Sequence, residues 1–316
     1  MAEERALPLS VASTAVDLSS LTAWDCDIHI PAGEYDRLGH HPRLEAGLRA
    51  LNASSLDAMD ADPTLLGIFK DGGRYVSAMW AIFLHVGEGL TLQSLKALCA
   101  QSGLLSPGRA RAMLLYMRYL RYVEPVREGR SPTRYMPTPR FKAAWLTHMR
   151  CALEAVCAIE PTARTVVNRL GDPAVFTAVV RTQGESLFLG TQTHDLDNGL
   201  FRVFINRHAG GLILRELLAG GLDGAYPPTV AAIPAAVELA RRYQVSRIQI
   251  RRVLSAAEKE GLVRPEPDNR WRLDDDFRAL VTHNHTLQLR HLMLSAARAA
   301  ASLPPSLLSA TGQEQF

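Results

Sequence analysis

Residues 106–123 and 246–263 are two stretches of equal length that carry one pattern of side chains. Each opens on a serine, Ser106 or Ser246, a residue type that caps a helix by accepting a bond from a backbone N–H in its first turn. Ala110, Met113, Leu114 and Met117 fall on Ile250, Val253, Leu254 and Ala257, a spacing of three, one and three that puts all four on one helix face. Arg111 falls on Arg251, and Val123 on Val263. Beyond a basic, turn-rich connection, Tyr135 and Phe141 fall on Trp271 and Phe277, six apart in both copies. The offset drifts from 140 to 136 only through the length of that connection. A repeat of this length requires one supersecondary unit to be built twice. Chance likeness of two helices would not reproduce cap, core, exit strand and both aromatics in order.

The second copy is the clearer one. Within 233–271, Val237, Leu239 and Ala240 form the apolar face of a short helix, with Arg241 and Arg242 at its exposed end. Gln244 and Val245 make a turn, and Ser246 caps the next helix. That helix buries Ile250, Val253, Leu254 and Ala257 and leaves Arg247, Gln249, Arg251 and Arg252 on its other face. Gly261 ends it, 262–264 start a strand, 265–269 turn, and Arg270, Trp271 and Arg272 return as a second strand. The segment resembles the winged helix-turn-helix of bacterial transcription regulators, most closely the GntR type. Val245-Ser246-Arg247, Ile250-Arg251 and the run from Glu258 to Val263, with its Gly261-Leu262-Val263 exit, carry the likeness over about forty residues.

Along the rest of the chain, 44–51 and 54–59 read as short helices. Residues 75–86, bounded by glycines, form an apolar helix too short to span a bilayer and suited to burial. Thr91 caps a short helix closing at Gly103, and Pro107 stands at the first position of the next, where a missing N–H costs nothing. A basic hairpin leads to a long helix over 141–159. Between the copies, 164–180 reads as a helix broken near Gly171-Asp172-Pro173, 184–199 as turn-rich with a short strand at 186–189, and 201–218 as an apolar helix placed like 75–86. Residues 277–301 form a long helix matching 141–159.

Each half thus reads as packing helix, helix-turn-helix with hairpin, and long helix. That plan resembles one subunit of a MarR-type dimer, in which terminal helices make the two-fold contact. The resemblance implies a mainly α fold with small β wings: two winged helix-turn-helix domains related by the repeat and packed as a pseudo-dimer through flanking helices. The expected boundaries are a flexible arm over 1–22, a first half over 23–160, a second over 161–303 and a flexible tail over 304–316.

The 316 residues, 47% of them hydrophobic, suffice for two domains with cores. A formal net charge of +3 excludes a uniformly basic coat. Between 106 and 145, however, nine Lys/Arg face two Glu, and between 241 and 272 nine face four acids. Local basic faces on a near-neutral chain are the footprint of a protein that reads DNA. Cys26, Cys99, Cys151 and Cys157 form no CxxC pair, which fits free thiols in a reducing cytosol. Asp25, Asp27, His29, His40 and His41 match no dedicated metal-ligand spacing; His194, Asp195 and Asp197 could bind a metal, but Asn198-Gly199 beside them signals a turn; and His283, His285 and His291 are expected in core or solvated roles. With no P-loop, nucleophile elbow or HExxH, neither an enzyme nor a cofactor is expected.

On B-DNA the N-terminal residues of a recognition helix meet base edges in the major groove. Arg247 and Gln249 suit guanine and adenine there, and Arg251 and Arg252 a base or adjacent phosphates. Arg109 and Arg111 hold the matching face in the first half, with Ser106 and Ser246 at the two helix starts. Arg127, Arg130 and Arg134 in one hairpin, and Arg270 and Arg272 in the other, suit phosphates or a minor groove. Tyr116, Tyr119 and Tyr122 are expected to pack against core and hairpin. The expected function is a cytoplasmic, nucleoid-associated transcription regulator binding double-stranded DNA and no membrane. A homodimer, a regulatory protein and a small-molecule effector stay open as partners. Two rival classes are a winged-helix replication initiator on origin repeats and a tandem winged-helix adaptor for proteins.

Overall fold

The computed structural model describes residues 37–62, 65–103, 105–126, 132–193 and 197–301. The two terminal segments, including Asp25, Cys26, Asp27 and His29, lie outside these residues, as do Arg127, Arg130, His194 and Asp195. The chain is mainly helical with two small antiparallel sheets. In order, the first part comprises α1 (Leu44–Ala61), α2 (Leu66–Phe69), α3 (Gly72–Val86), β1 (Leu90–Thr91), α4 (Leu92–Gln101), α5 (Pro107–Tyr119), β2 (Val123–Val126), β3 (Arg134–Pro137) and α6 (Pro139–Cys157). A 3-10 turn (Pro161–Ala163) leads to α7 (Arg164–Asn168), α8 (Pro173–Thr193) and a π-helical turn (Leu200–Ile205). Then follow α9 (Gly210–Ala219), β4 (Val230–Ala232), α10 (Ala236–Arg242), α11 (Arg247–Lys259), β5 (Val263–Glu266), β6 (Arg270–Leu273) and α12 (Asp275–Ala301).

From α3 and from α9 onward the same order of elements occurs twice. Both sheets carry the central strand last in sequence, β1-β3-β2 and β4-β6-β5. Val123 pairs with Pro137 and Pro125 with Tyr135, just as Val263 pairs with Leu273 and Pro265 with Trp271. The proline of each outer strand donates nothing to the ladder, which an edge strand tolerates. After each sheet a phenylalanine enters the core and stacks on an aromatic ring: Phe141 on Tyr122 at 4.7 Å, and Phe277 on Phe204 at 5.4 Å.

Packing crosses between the halves. α1 lies on α6 and α8 on α12, within their own halves. In addition α1 packs on α9, α3 packs on α8, and α12 packs on both α1 and α6. Gly184, in α8, makes one of these approaches possible, because a Cβ there would stand 2.2 Å from the Phe83 ring.

Four expectations are corrected. The region 44–59 is one helix, since Ser54 and Ser55 bond back to Leu51 O at 2.8 and 3.4 Å instead of capping a second helix. No strand forms at 186–189, through which α8 continues; Gly184 there serves close packing and not a turn. The helix read over 201–218 breaks at Ala209, whose φ of 62° stops the π turn before α9 begins. Val237 is 56% exposed and contributes nothing to the core beneath α10. Among the described residues Cys99 is buried, its thiol pushed up to about 12 by desolvation, and no helix is long and apolar enough to cross a membrane.

Candidate nucleic-acid interface

α5 and α11 are matched in length and in start. Ser106 accepts the Arg109 N–H at 3.3 Å, and Ser246 accepts the Gln249 N–H at 3.1 Å, so both hydroxyls are engaged in holding a helix end. α11 sinks Ile250, Val253, Leu254 and Ala257 into the core and exposes Arg247, Ile248, Arg251 and Arg252. Among the described residues no ion pair engages these three arginines, which therefore point full charges at solvent beside a helix N-terminus. The helix dipole adds to their field there. Ile248, 61% exposed, and Val237 flank Arg247 in a shallow depression of about 510 Å³ between α10 and α11.

α5 buries Ala110, Leu114 and Met117, and its outer face differs. Arg111 and Arg118 are exposed, but Leu115 at 48% and Tyr119 at 82% lie between and beyond them. Tyr119 is thus not a packing residue. Tyr122 is buried on Phe141, and the Tyr116 ring lies 5.0 Å under the Arg74 guanidinium.

Two residues expected to read bases have partners within the chain, Arg109 while half exposed and Gln249 while half-buried. The Arg109 guanidinium donates to Asp71 Oδ1 at 3.1 Å, and the Gln249 amide donates to His208 O at 2.7 Å. Asp71 and His208 meet each other, with His208 Nδ1 3.8 Å from Asp71 Oδ2. Asp71, only 6% exposed, also caps α3 through the Arg74 N–H at 3.0 Å and pairs with Arg74 Nε at 3.1 Å. The Ala209 N–H donates to Lys70 O at 2.5 Å, and Lys70 Nζ to Gln244 O at 3.2 Å. Residues 70–71 of the first half and 208–209 of the second therefore form one junction to which the first turns of both helices are tied. Burial, with Arg74 next, holds the His208 imidazole below its usual pKa against the opposing pull of Asp71.

The hairpins also differ. β5 and β6 are joined by three residues, Pro267, Asp268 and Asn269, in a tight turn closed by the Arg270 N–H donating to Pro267 O at 3.2 Å, with Asp268 and Asn269 at φ 62° and 57°, positive values at both central positions that suit the twist of paired strands. Arg270 is exposed, whereas Arg272 pairs across the hairpin with Glu266 at 2.7 Å. Seven residues, 127–133, separate β2 from β3. Arg134 is exposed, and its guanidinium lies over Gly89, where a Cβ would stand 3.6 Å from Cζ.

Of the expected set, Arg111, Arg134, Arg247, Arg251, Arg252 and Arg270 are thus exposed, while Arg109, Gln249 and Arg272 have protein partners. Sequence reasoning missed Ile248, Leu115 and the Asp71–His208 junction. The first two could have been found from the helical spacing that exposes Arg247 and Arg111; the junction had no local signal. Comparison with protein-family models, with curated proteins and with solved structures finds no match to this chain.

Proposed function

We propose that this protein is a sequence-specific double-stranded DNA-binding regulator of transcription, built as two winged helix-turn-helix units and packed as a pseudo-dimer. The reading rests on one observation above all: Arg247, Arg251 and Arg252 stand exposed and, among the described residues, without ion pairs on a serine-capped helix whose opposite face is core. In this reading α11 enters the major groove. Arg247 and Arg251 meet guanine edges, Ile248 meets a thymine methyl group, and Arg252 meets phosphate. The β5–β6 hairpin brings Arg270 to the backbone, and Arg134 does the same in the first unit. α5 is the weaker reader, because Arg109 is held by Asp71 and leaves Arg111 nearest the helix start. The protein acts by binding and not by catalysis, without a cofactor, at the nucleoid.

A second reading has its own support. Leu115 and Tyr119, one turn apart on α5, are exposed apolar side chains suited to a protein partner. In that case only the second unit reads DNA.

Selection of bound duplexes from a random library by the full chain tests the proposal, with Arg251→Ala as control. An asymmetric motif that disappears in the control is the expected result. Absence of any enriched motif would sink DNA reading, and a motif long enough for one head alone would favour the divided reading.

A further inference from the structure

The depression between α10 and α11 combines open apolar surface with unpaired positive charge. Val237, 56% exposed, and Ile248, 61% exposed, line it together with Ala240 and Val245. Arg241 and Arg247 line it too, both exposed and, among the described residues, without an ion pair. At about 510 Å³ it has room for several side chains. Apolar surface open to water is unfavourable, and arginines around it select a cover that brings apolar groups and negative charge at once. A duplex supplies the charge but, beyond thymine methyl groups, little apolar surface.

The chain itself contains a segment of the complementary kind. Residues 6–36 hold five Asp/Glu and no Lys or Arg, so they carry −5 while the other residues of this chain, whose net charge is +3, carry +8. Within that segment Asp17, Asp25 and Asp27 are interleaved with Leu18, Leu21, Trp24 and Ile28. Reach is sufficient. Arg242, the last residue of α10, meets Asp60 near the end of α1 at 3.3 Å, which puts that end of α1 beside Arg241. From Leu44 to Asp60 α1 rises about 24 Å, whereas the twenty residues from Asp17 to Arg37 extend to about 66 Å.

We propose that residues 17–28 dock in the α10–α11 depression of their own chain, with Trp24 and its apolar neighbours against Val237 and Ile248, and with Asp25 and Asp27 toward Arg241 and Arg247. The tether favours this occupant over any free one, because it holds the segment at an effective concentration of about millimolar. Docked there, the segment covers the outer face of α11, so that segment and duplex exclude each other. That consequence rests on the DNA reading; the docking does not.

Cys26 lies inside the segment and serves as the probe. In the full chain carrying Cys151→Ser and Cys157→Ser, a short bismaleimide is expected to join Cys26 to the thiol introduced by Val237→Cys, with the yield read by peptide mapping. Tyr119→Cys, on the exposed face of α5, is the comparison. The yield at Val237→Cys is expected to be about tenfold the higher. Asp25→Arg with Asp27→Arg lowers it to the comparison level, and Arg241→Glu with Arg247→Glu in the same chain restores it. Equal yields at the two positions overturn the proposal, as does a yield that charge reversal leaves unchanged. Cross-links formed between chains and not within one overturn it as well, by assigning the depression to a second copy. Selected duplex added beforehand lowers the yield if both claims hold. A charge-dependent yield that duplex leaves unchanged upholds the docking and overturns instead the placing of DNA on α11.

Discussion

α5 and α11 share cap, length, buried spacing and exit strand, and they differ almost entirely where they face outward. α11 presents Arg247, Ile248, Arg251 and Arg252. α5 presents Arg111, Leu115, Arg118 and Tyr119, with Arg109 drawn aside by Asp71. The buried residues of each helix answer to one shape, so the two copies stay alike there. The outward residues answer to whatever each helix touches, and there the copies have separated. The same division runs through the hairpins, where the three residues 267–269 correspond to the longer 127–133 connection. A shared scaffold with unlike faces is what one expects of two units that meet different surfaces.

One feature the halves share gives the largest effect. Each contributes a histidine, His148 or His285, whose pKa in the folded chain lies near 3. Below the unfolded value of about 6.5 the unfolded chain takes up protons that the folded chain refuses, so stability present at neutral pH is lost as pH falls. At pH 5 each histidine accounts for about 2 kcal/mol of loss, or about 4 for the pair. Urea unfolding at both pH values measures this, and His148→Gln or His285→Gln removes about half of it. A strong dependence retained by the double variant would show that these two histidines are not its source, and unequal losses in the two single variants that the halves are not equivalent in this respect.

Next in size is the junction, where the halves are unequal. Asp71 caps α3 and pairs with Arg74, Arg109 and His208, whereas Ala209, at the start of α9, offers no side-chain cap. Asp71→Ala is expected to cost about 2–3 kcal/mol, below the full value for a buried pair because its partners are partly exposed to solvent. Denaturant unfolding checks this, and a loss under 1 kcal/mol would remove the junction from any structural role.

The outward faces come third. Arg251→Ala is expected to cost about 1–3 kcal/mol of specific DNA binding, and Arg111→Ala less than half as much. Anisotropy titrations at fixed salt against the selected site and a scrambled one decide it. Equal losses from both variants would mean that both helices read bases and the comparison drawn from their faces is mistaken.

The smallest effect lies at one backbone position. Arg121 at φ 56° and Gly261 at φ 73° follow α5 and α11 at equivalent places. Only glycine adopts this conformation without steric strain. Gly261→Arg is therefore expected to destabilise by about 1 kcal/mol, and Arg121→Gly to be close to neutral, since relief of strain offsets the freedom glycine gives the unfolded chain.

Much of this was legible in the sequence where the signals were local. Ser246, the spacing of Ile250, Val253, Leu254 and Ala257, and Gly261 together bound α11 as Arg247–Lys259. Strands β1 and β4 were not legible, because two or three residues carry no period and are strands only through their pairing with β3 and β6. The continuity of α8 through Gly184 depends on Phe83, a hundred residues earlier. At the site, exposed arginines followed from helical spacing alone. The ties of Arg109 and Gln249 did not, since Asp71 and His208 lie 38 and 41 residues away and belong to different halves for one to reach the other.

The crossing of α1 onto α9 and of α3 onto α8 bears on how the chain comes apart. Neither half closes its own core; each borrows a wall from the other. A nick in the link between α6 and α7 would then release no independently stable fragment, and heating would give one melting transition in place of two. Substitutions can accumulate on one outer face while the other preserves the shape of the whole.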